Sequence, residues 1–181
     1  MNSYGELINQ NTLQFKRKLP GTVDRVWEYL VDPELRQKWF AGGPVNLKSG
    51  GIMELHFDHA KFSDQHDPIP DKYQNMESGS KSEATVLRVE KPNLLVINWE
   101  EGIVTFKLEQ VAANEVLLTL THERLQDSMD YRIGVLAGWH THLDILVDVI
   151  SGLSVRPFWN QHMSLEDEYE QKLNAGTLFS K

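Results

Sequence analysis

Two histidines are the residues of this chain whose spacing best suits acid–base chemistry. His122 falls on the same face of a predicted strand as Leu118 and Leu120. His142 follows Trp139 by three residues on the apolar side of a predicted helix. Two imidazoles that face one interior could carry protons near neutral pH, because the ordinary pKa of histidine is about 6.5. The alternative is that both are half-buried side chains whose nitrogens bond to backbone carbonyls or to a tyrosine hydroxyl.

Three tryptophans on separate predicted elements, Trp39, Trp99 and Trp139, each fall on an inner face. They indicate either an aromatic-lined pocket for an apolar or planar ligand or ordinary core packing, whereas Trp27 is predicted to belong to the core. Leu55 and Phe106 share the same inner surface. The predicted ligand-binding residues are Trp39, Leu55, Trp99, Phe106, His122, Trp139 and His142.

A second group of chemistry-bearing residues surrounds an H-x-x-H formed by His56 and His59, with Asp58, Asp64, His66 and Asp67 nearby. Imidazole and carboxylate groups bind divalent metals. One of these histidines lies in a predicted strand and the others in a segment without periodicity, so nothing in the pattern brings them together. We expect a solvated polar loop, with no metal ion and no cofactor.

Common catalytic signatures are missing from the chain. It contains no G-x-G-x-x-G, no phosphate-binding loop, no H-E-x-x-H, no G-x-S-x-G and no EF-hand loop. No catalytic residue is therefore assigned, and the sequence favours a binding protein over an enzyme.

Strands and helices must position these side chains. Alternating apolar residues predict a first strand at Thr12–Leu19 and a strand-rich middle. The predicted middle strands are Val45–Lys48, Gly51–Phe57, Ser82–Glu90, Leu94–Glu100, Ile103–Gln110 and Glu115–Glu123. Their short connections predict an antiparallel meander in which one face of the sheet is buried and the other is exposed to solvent.

Apolar residues with helical spacing occur after the first predicted strand and again after the last one. Thr22 and Asp32-Pro33 predict the starts of two short helices, the second of which reaches Phe40. The range 130–151 carries an apolar stripe at three- and four-residue spacing and predicts one long helix. A short acidic helix is expected at 165–173, with its acidic run on a solvated face. The unpatterned segment 58–81 is expected to lie at a cavity mouth or to be poorly ordered.

Composition limits the class of protein. The chain has 181 residues, a formal net charge of −8 and no cysteine. The acidic balance disfavours nucleic acid and anionic membranes as partners, and the missing cysteines exclude disulfides, zinc–thiolate sites and thiol catalysis. With no apolar run long enough to span a bilayer and no visible secretory signal, we expect a cytoplasmic protein with no membrane association.

The order of elements resembles the helix-grip superfamily, also called SRPBCC or START-like, and within it the family of the activator of heat-shock-protein-90 ATPase. The residues that carry the resemblance are Val26-Trp27, Asp32-Pro33-Glu34-Leu35, Trp39-Phe40, Gly50-Gly51, Val89-Glu90-Lys91-Pro92, Leu95 to Trp99, Leu118 to His122, and Gly138-Trp139 with Leu143 and Leu146. The resemblance implies an α+β helix-grip fold, in which a curved antiparallel sheet of about six or seven strands wraps a long C-terminal helix and encloses a cavity.

Three functions remain open on this basis. The leading hypothesis is that a small hydrophobic or amphipathic ligand binds between the sheet and the long helix. The second is an enzyme of the cyclase, aromatase or hydratase kind that uses the two cavity histidines. The third is a co-chaperone-like interaction module, with a protein partner or a second copy of the chain. The predicted organisation is an N-terminal extension at 1–11, the helix-grip domain at 12–152, and a tail at 153–181 whose acidic helix docks on the domain.

Overall fold

One seven-stranded antiparallel sheet forms the body of the protein in the computed structural model, which describes residues 3–178. The strands are β1 Glu6–Asn9, β2 Thr12–Pro20, β3 Ile52–Phe57, β4 Ser80–Glu90, β5 Leu94–Trp99, β6 Gly102–Ala112 and β7 Glu115–Glu123. They lie in the order β1-β2-β7-β6-β5-β4-β3, so the first hairpin pairs with the last strand of the meander. The predicted α+β helix-grip fold is confirmed.

Within the described residues, four α-helices accompany the sheet: α1 Val23–Val31, α2 Pro33–Arg36, α3 Met129–Ile150 and α4 Phe158–Asn174. The Thr22 hydroxyl accepts a hydrogen bond from the backbone of Arg25, and the Asp32 carboxylate caps α2, as the sequence predicts. Ser128 caps α3 in the same way. These caps satisfy N–H groups that the first turn of a helix leaves without partners.

Strict alternation of burial explains how the sheet presents a single apolar face to α3. Along β7 every second residue, from Val116 to His122, is buried and its neighbours are partly exposed. The side of α3 that faces the sheet is also shielded from solvent, and its Leu136, Leu143 and Leu146 are fully buried. Each such side chain contributes about 1.5–3 kcal/mol when it leaves water, so the packing of helix on sheet holds the fold together.

The secondary structure departs from the predictions in four places. α2 ends at Arg36 instead of reaching Phe40, because the backbone N–H groups of Lys38 and Trp39 bond to carbonyls three residues back rather than four. The range Val45–Lys48 forms only a single bridge, between Val45 and Met53, instead of a strand. The range Glu6–Asn9, predicted as part of an extension, is a strand that pairs with β2. α4 begins at Phe158 rather than at 165, because the Asp67 carboxylate accepts hydrogen bonds from the backbone N–H groups of Trp159 and Asn160 at 2.7 and 2.9 Å.

A partly buried ionic cluster fastens the segment before α4 to α3. Arg156 donates to both oxygens of Asp148 at 2.7 Å and to Asp144 at 2.9 Å. Arg17 of β2 reaches the same Asp144 at 3.1 Å. α4 is thereby held against the face of α3 that the sheet leaves uncovered.

α3 is also long and apolar enough, by length and composition alone, to cross a membrane. Most of it is buried within the protein, which is the usual position of a core helix.

Candidate functional site

A cavity of about 550 Å³ lies between one end of the sheet and the first half of α3. We call it the aromatic cavity. Its walls come from the ends of β3, β5 and β7, from α3 and α4, and from the segment between β3 and β4. Eight aromatic side chains line it: Phe40, Phe57, Tyr73, Trp99, Tyr131, Trp139, Phe158 and Trp159. Its size and apolar character match those of small-molecule sites.

His122 lines this cavity, and its ring holds a buried hydrogen-bond donor. The indole N–H of Trp139, which can only donate, points at Nδ1 of His122 over 3.1 Å, so Nδ1 accepts. In the neutral ring the proton must then sit on Nε2. That nitrogen is buried and has no hydrogen-bond partner among the described residues. Burial lowers the pKa of His122 to about 4, which keeps the ring neutral at pH 7.

His142 takes the opposite tautomer. Its Nδ1 lies 2.7 Å from the backbone carbonyl of Trp39, which can only accept, so Nδ1 carries the proton and Nε2 carries a lone pair. Burial, and then the neighbouring His59, hold the pKa of His142 well below its usual value. The two histidines that the sequence singles out are therefore both neutral lining groups, one a donor and the other an acceptor.

Two further imidazoles complete the lining. His59 stacks on Phe158 with a centroid separation of 4.1 Å, and burial followed by the nearby His162 lowers its pKa to about 4. Nδ1 of His59 and Nδ1 of His162 are both buried without a hydrogen-bond partner in the described chain. Both rings therefore form part of the cavity wall, with these two nitrogens enclosed by protein atoms.

A polar cluster at the edge of the cavity joins α4 to the segment between β3 and β4. The buried Glu166 carboxylate accepts a short hydrogen bond from the Tyr73 hydroxyl and pairs with Lys72 at 2.6 Å. Nε2 of His162 lies 3.1 Å from the same hydroxyl. Burial raises the pKa of Glu166, but hydrogen bonds from His162, Lys72 and Tyr73 outweigh burial and bring it to about 2. Glu166 is therefore a structural anion, and the predicted solvated acidic face is wrong at this position.

Two glycines in α3 make room for the cavity. Gly134 and Gly138 are one turn apart, and both line it. A Cβ atom added at Gly134 would meet nothing within 4 Å, and one added at Gly138 would meet only His162 at 4.0 Å. A glycine inside a helix costs about 1 kcal/mol relative to alanine. At these two positions α3 is therefore less stable than it would be with alanine, and a larger side chain at either position would enter the cavity.

Four of the seven predicted binding residues line the cavity: Trp99, His122, Trp139 and His142. The other three are core residues. Trp39 is buried and donates its indole N–H to the Tyr29 carbonyl at 2.8 Å. Leu55 on the edge strand β3 and Phe106 on β6 are buried and do not line the cavity. Binding by any of the seven stays a prediction.

Sequence reasoning missed the lining side chains of α4 and of the segment before β4. The spacing of Phe158, Trp159 and His162 with Leu165 and Tyr169 is helical and could have revealed an amphipathic α4 earlier in the chain. The segment 58–81 does lie at the cavity, but it is more structured than predicted. It forms two 3₁₀ turns, His59–Lys61 and Asp71–Met76, and buries His59 and Phe62.

The histidines of the H-x-x-H diverge. His56 faces Glu54 at 2.8 Å, whereas His59 faces Phe158 inside the cavity. Within residues 3–178 no group of three or more histidine, aspartate or glutamate side chains is arranged to hold a metal ion.

A sheet that grips one long helix and leaves a cavity between them defines a helix-grip protein. A family model described as "Activator of Hsp90 ATPase homolog 1-like protein" matches residues 20–151, which is more than half of the chain. The chain belongs to this family of the SRPBCC superfamily, and the predicted resemblance is confirmed. No curated protein matches it.

Solved structures agree with this assignment. The solution structure of the protein encoded by gene BPP1335 of Bordetella parapertussis matches with a TM-score of 0.78 and 33% identity, over 94% of this chain and 91% of that one. CalU16 from Micromonospora echinospora matches with a TM-score of 0.62 and 22% identity, over 93% and 88%. Aha1 from Colwellia psychrerythraea, solved as a dimer, matches with a TM-score of 0.56 and 11% identity, over 77% and 95%. At such identities the last two share the fold alone.

Proposed function

We propose that the protein binds a planar, largely apolar small molecule in the aromatic cavity. The observation that carries the proposal is a space of about 550 Å³ lined by eight aromatic side chains. Aromatic walls of this extent are typical of small-molecule sites, where they bury most of the surface of the ligand.

The glycines of α3 support the same function. Filling the cavity at Gly134 would stabilise the helix, yet the chain keeps a residue without a side chain there. Such a loss of stability is expected where binding needs the space.

Binding fits the histidines better than acid–base catalysis does. An efficient general base has a pKa near the working pH. The pKa of His122 is lowered to about 4, and that of His142 is also well below the usual value, in both cases chiefly by burial. At neutral pH both rings act as fixed hydrogen-bonding groups.

A cavity-filling variant tests the proposal. Gly134→Leu places a side chain in the cavity, whereas the matched control Gly134→Ala leaves most of the space. N-phenyl-1-naphthylamine, a neutral aromatic probe, is titrated against each protein, and its own fluorescence reports binding. We expect binding to wild type and to Gly134→Ala, and at least tenfold weaker binding to Gly134→Leu with its folded circular dichroism spectrum intact. Equal binding by both variants, or none by wild type, would refute the cavity function.

A further inference from the structure

A second, polar pocket adjoins the aromatic cavity. It lies beside the end of β3 and the start of β4, and its volume is about 610 Å³. We call it the side pocket; its polar lining includes Lys38, Lys61, Lys81, Asp58, His56 and Ser78. Phe57, Ser80 and Lys81 line both the side pocket and the aromatic cavity. A ligand that fills the cavity can therefore place one end in a polar space.

The lining of the side pocket is cationic although the whole chain carries a net charge of −8. Three lysines face one aspartate, and only Lys61 is paired with it, at 2.6 Å. The lining His56 is held by Glu54 at 2.8 Å. No carboxylate in residues 3–178 lies within ion-pair distance of Lys38 or Lys81.

A buried cation lies under the floor of the side pocket. Arg36 is 1% exposed, and its guanidinium donates only to backbone carbonyls, including those of Gly42 and Gly43 at 3.1 and 2.6 Å. Both glycines line the pocket. Burial lowers the pKa of Arg36 to about 10, so the group stays charged at neutral pH. Within the described chain it has no carboxylate partner, and a charge in a poorly polarisable interior acts over a longer range than one in water.

We infer that the side pocket is an anion subsite and that the ligand of the aromatic cavity is an amphipathic anion. Its planar apolar body would lie among the aromatic rings, and its carboxylate, sulfonate or phosphate group would lie between Lys81 and Lys38. Lys81 is the residue that joins the two spaces. This inference rests on the proposed function, because it assigns the polar end of the same ligand.

Two fluorescent probes that differ by one anionic group test the inference. 8-Anilinonaphthalene-1-sulfonate is N-phenyl-1-naphthylamine with a sulfonate added. Their dissociation constants are measured with wild type, with the double variant Lys38→Gln/Lys81→Gln, and with Lys48→Gln, a lysine that lines neither space.

The two lysines should favour the sulfonate by about five- to tenfold in total at low salt, since exposed charge pairs are individually weak. The preference for the sulfonate over the neutral probe should fall by that factor in the double variant and in 0.5 M sodium chloride, and should be unchanged in Lys48→Gln. An unchanged preference in the double variant, with the neutral probe still bound, would overturn the anion subsite and leave the cavity function standing. Failure of both probes to bind wild type would overturn the cavity function and this inference together.

Discussion

A methyl group at Gly102 is expected to collide with the ring that we place at the centre of the site. A Cβ atom built on Gly102 would lie 2.2 Å from Nε2 and 2.9 Å from Cδ2 of His122. Contacts below 3.0 Å do not occur, so the imidazole must move. It cannot move freely, because its Nδ1 is held by Trp139 at 3.1 Å and its strand neighbours are the buried Leu13 and Val104.

The expected cost follows from these contacts. Overpacking of a core typically costs about 1–3 kcal/mol, and loss of the hydrogen bond between Trp139 and His122 adds about 0.5–1.5 kcal/mol. Gly102→Ala should therefore lower the free energy of unfolding by about 2–4 kcal/mol. In a His122→Ala background the same change should cost less than about 1 kcal/mol, because the obstacle is gone. The coupling energy of the double-mutant cycle should thus be about 2–3 kcal/mol.

Urea unfolding followed by far-ultraviolet circular dichroism measures all four proteins of the cycle. Gly134→Ala is the matched control, since its added methyl group enters open space and should raise stability by about 1 kcal/mol. If Gly102→Ala costs the same with and without the His122 ring, the assigned position of that ring is wrong.

Three further changes have definite expected outcomes. Glu100 holds φ = 54° at the cavity rim, so Glu100→Gly should stabilise the protein by about 1 kcal/mol in thermal unfolding, whereas Glu101→Gly should not. The pKa of His122 is lowered to about 4 from about 6.5 in the unfolded chain. Between these pH values the unfolded state binds more protons, so stability should fall as pH drops through that window. This one ring should account for on the order of 3 kcal/mol, and the dependence should be shallower in His122→Gln. Arg156→Ala removes the side-chain partner of the buried Asp148, which keeps one backbone N–H at 3.2 Å. Because the Arg156 side chain is 35% exposed, the cost in urea unfolding should be about 1.5–3 kcal/mol; an effect below 1 kcal/mol would mean that the cluster does not anchor the tail.

The period-two pattern of the strands was sufficient to predict which face of the sheet is buried. Side chains alternate across a strand, so His122 had to share the inner face with Leu118 and Leu120, and both the sheet and the long helix could be predicted from such patterns. Alternation says nothing about position along that face. Phe106 and His122 have the same inward orientation, yet Phe106 packs beneath Trp139 while His122 lines the cavity.

The histidine roles needed the tertiary structure. Only the approach of Trp139 places the proton of His122 on Nε2, and only the Trp39 carbonyl places that of His142 on Nδ1. These partners are 17 and 103 residues away along the chain, so no local pattern records them. The same holds for the α4 side chains that line the cavity, which come into place through a cap from Asp67.

The layers of this protein follow from its sequence, because the periodicity of apolar residues dictates which surfaces must leave water. Which part of the buried surface side chains leave unfilled depends on the tertiary structure. The position of the unfilled space depends on where each strand and helix ends and on how closely the helices approach the sheet. In this protein one end of the sheet faces Gly134 and Gly138 of α3 instead of larger side chains. The position of the cavity is therefore set by the packing of segments that are distant along the chain. It cannot be predicted from the residues of any one segment.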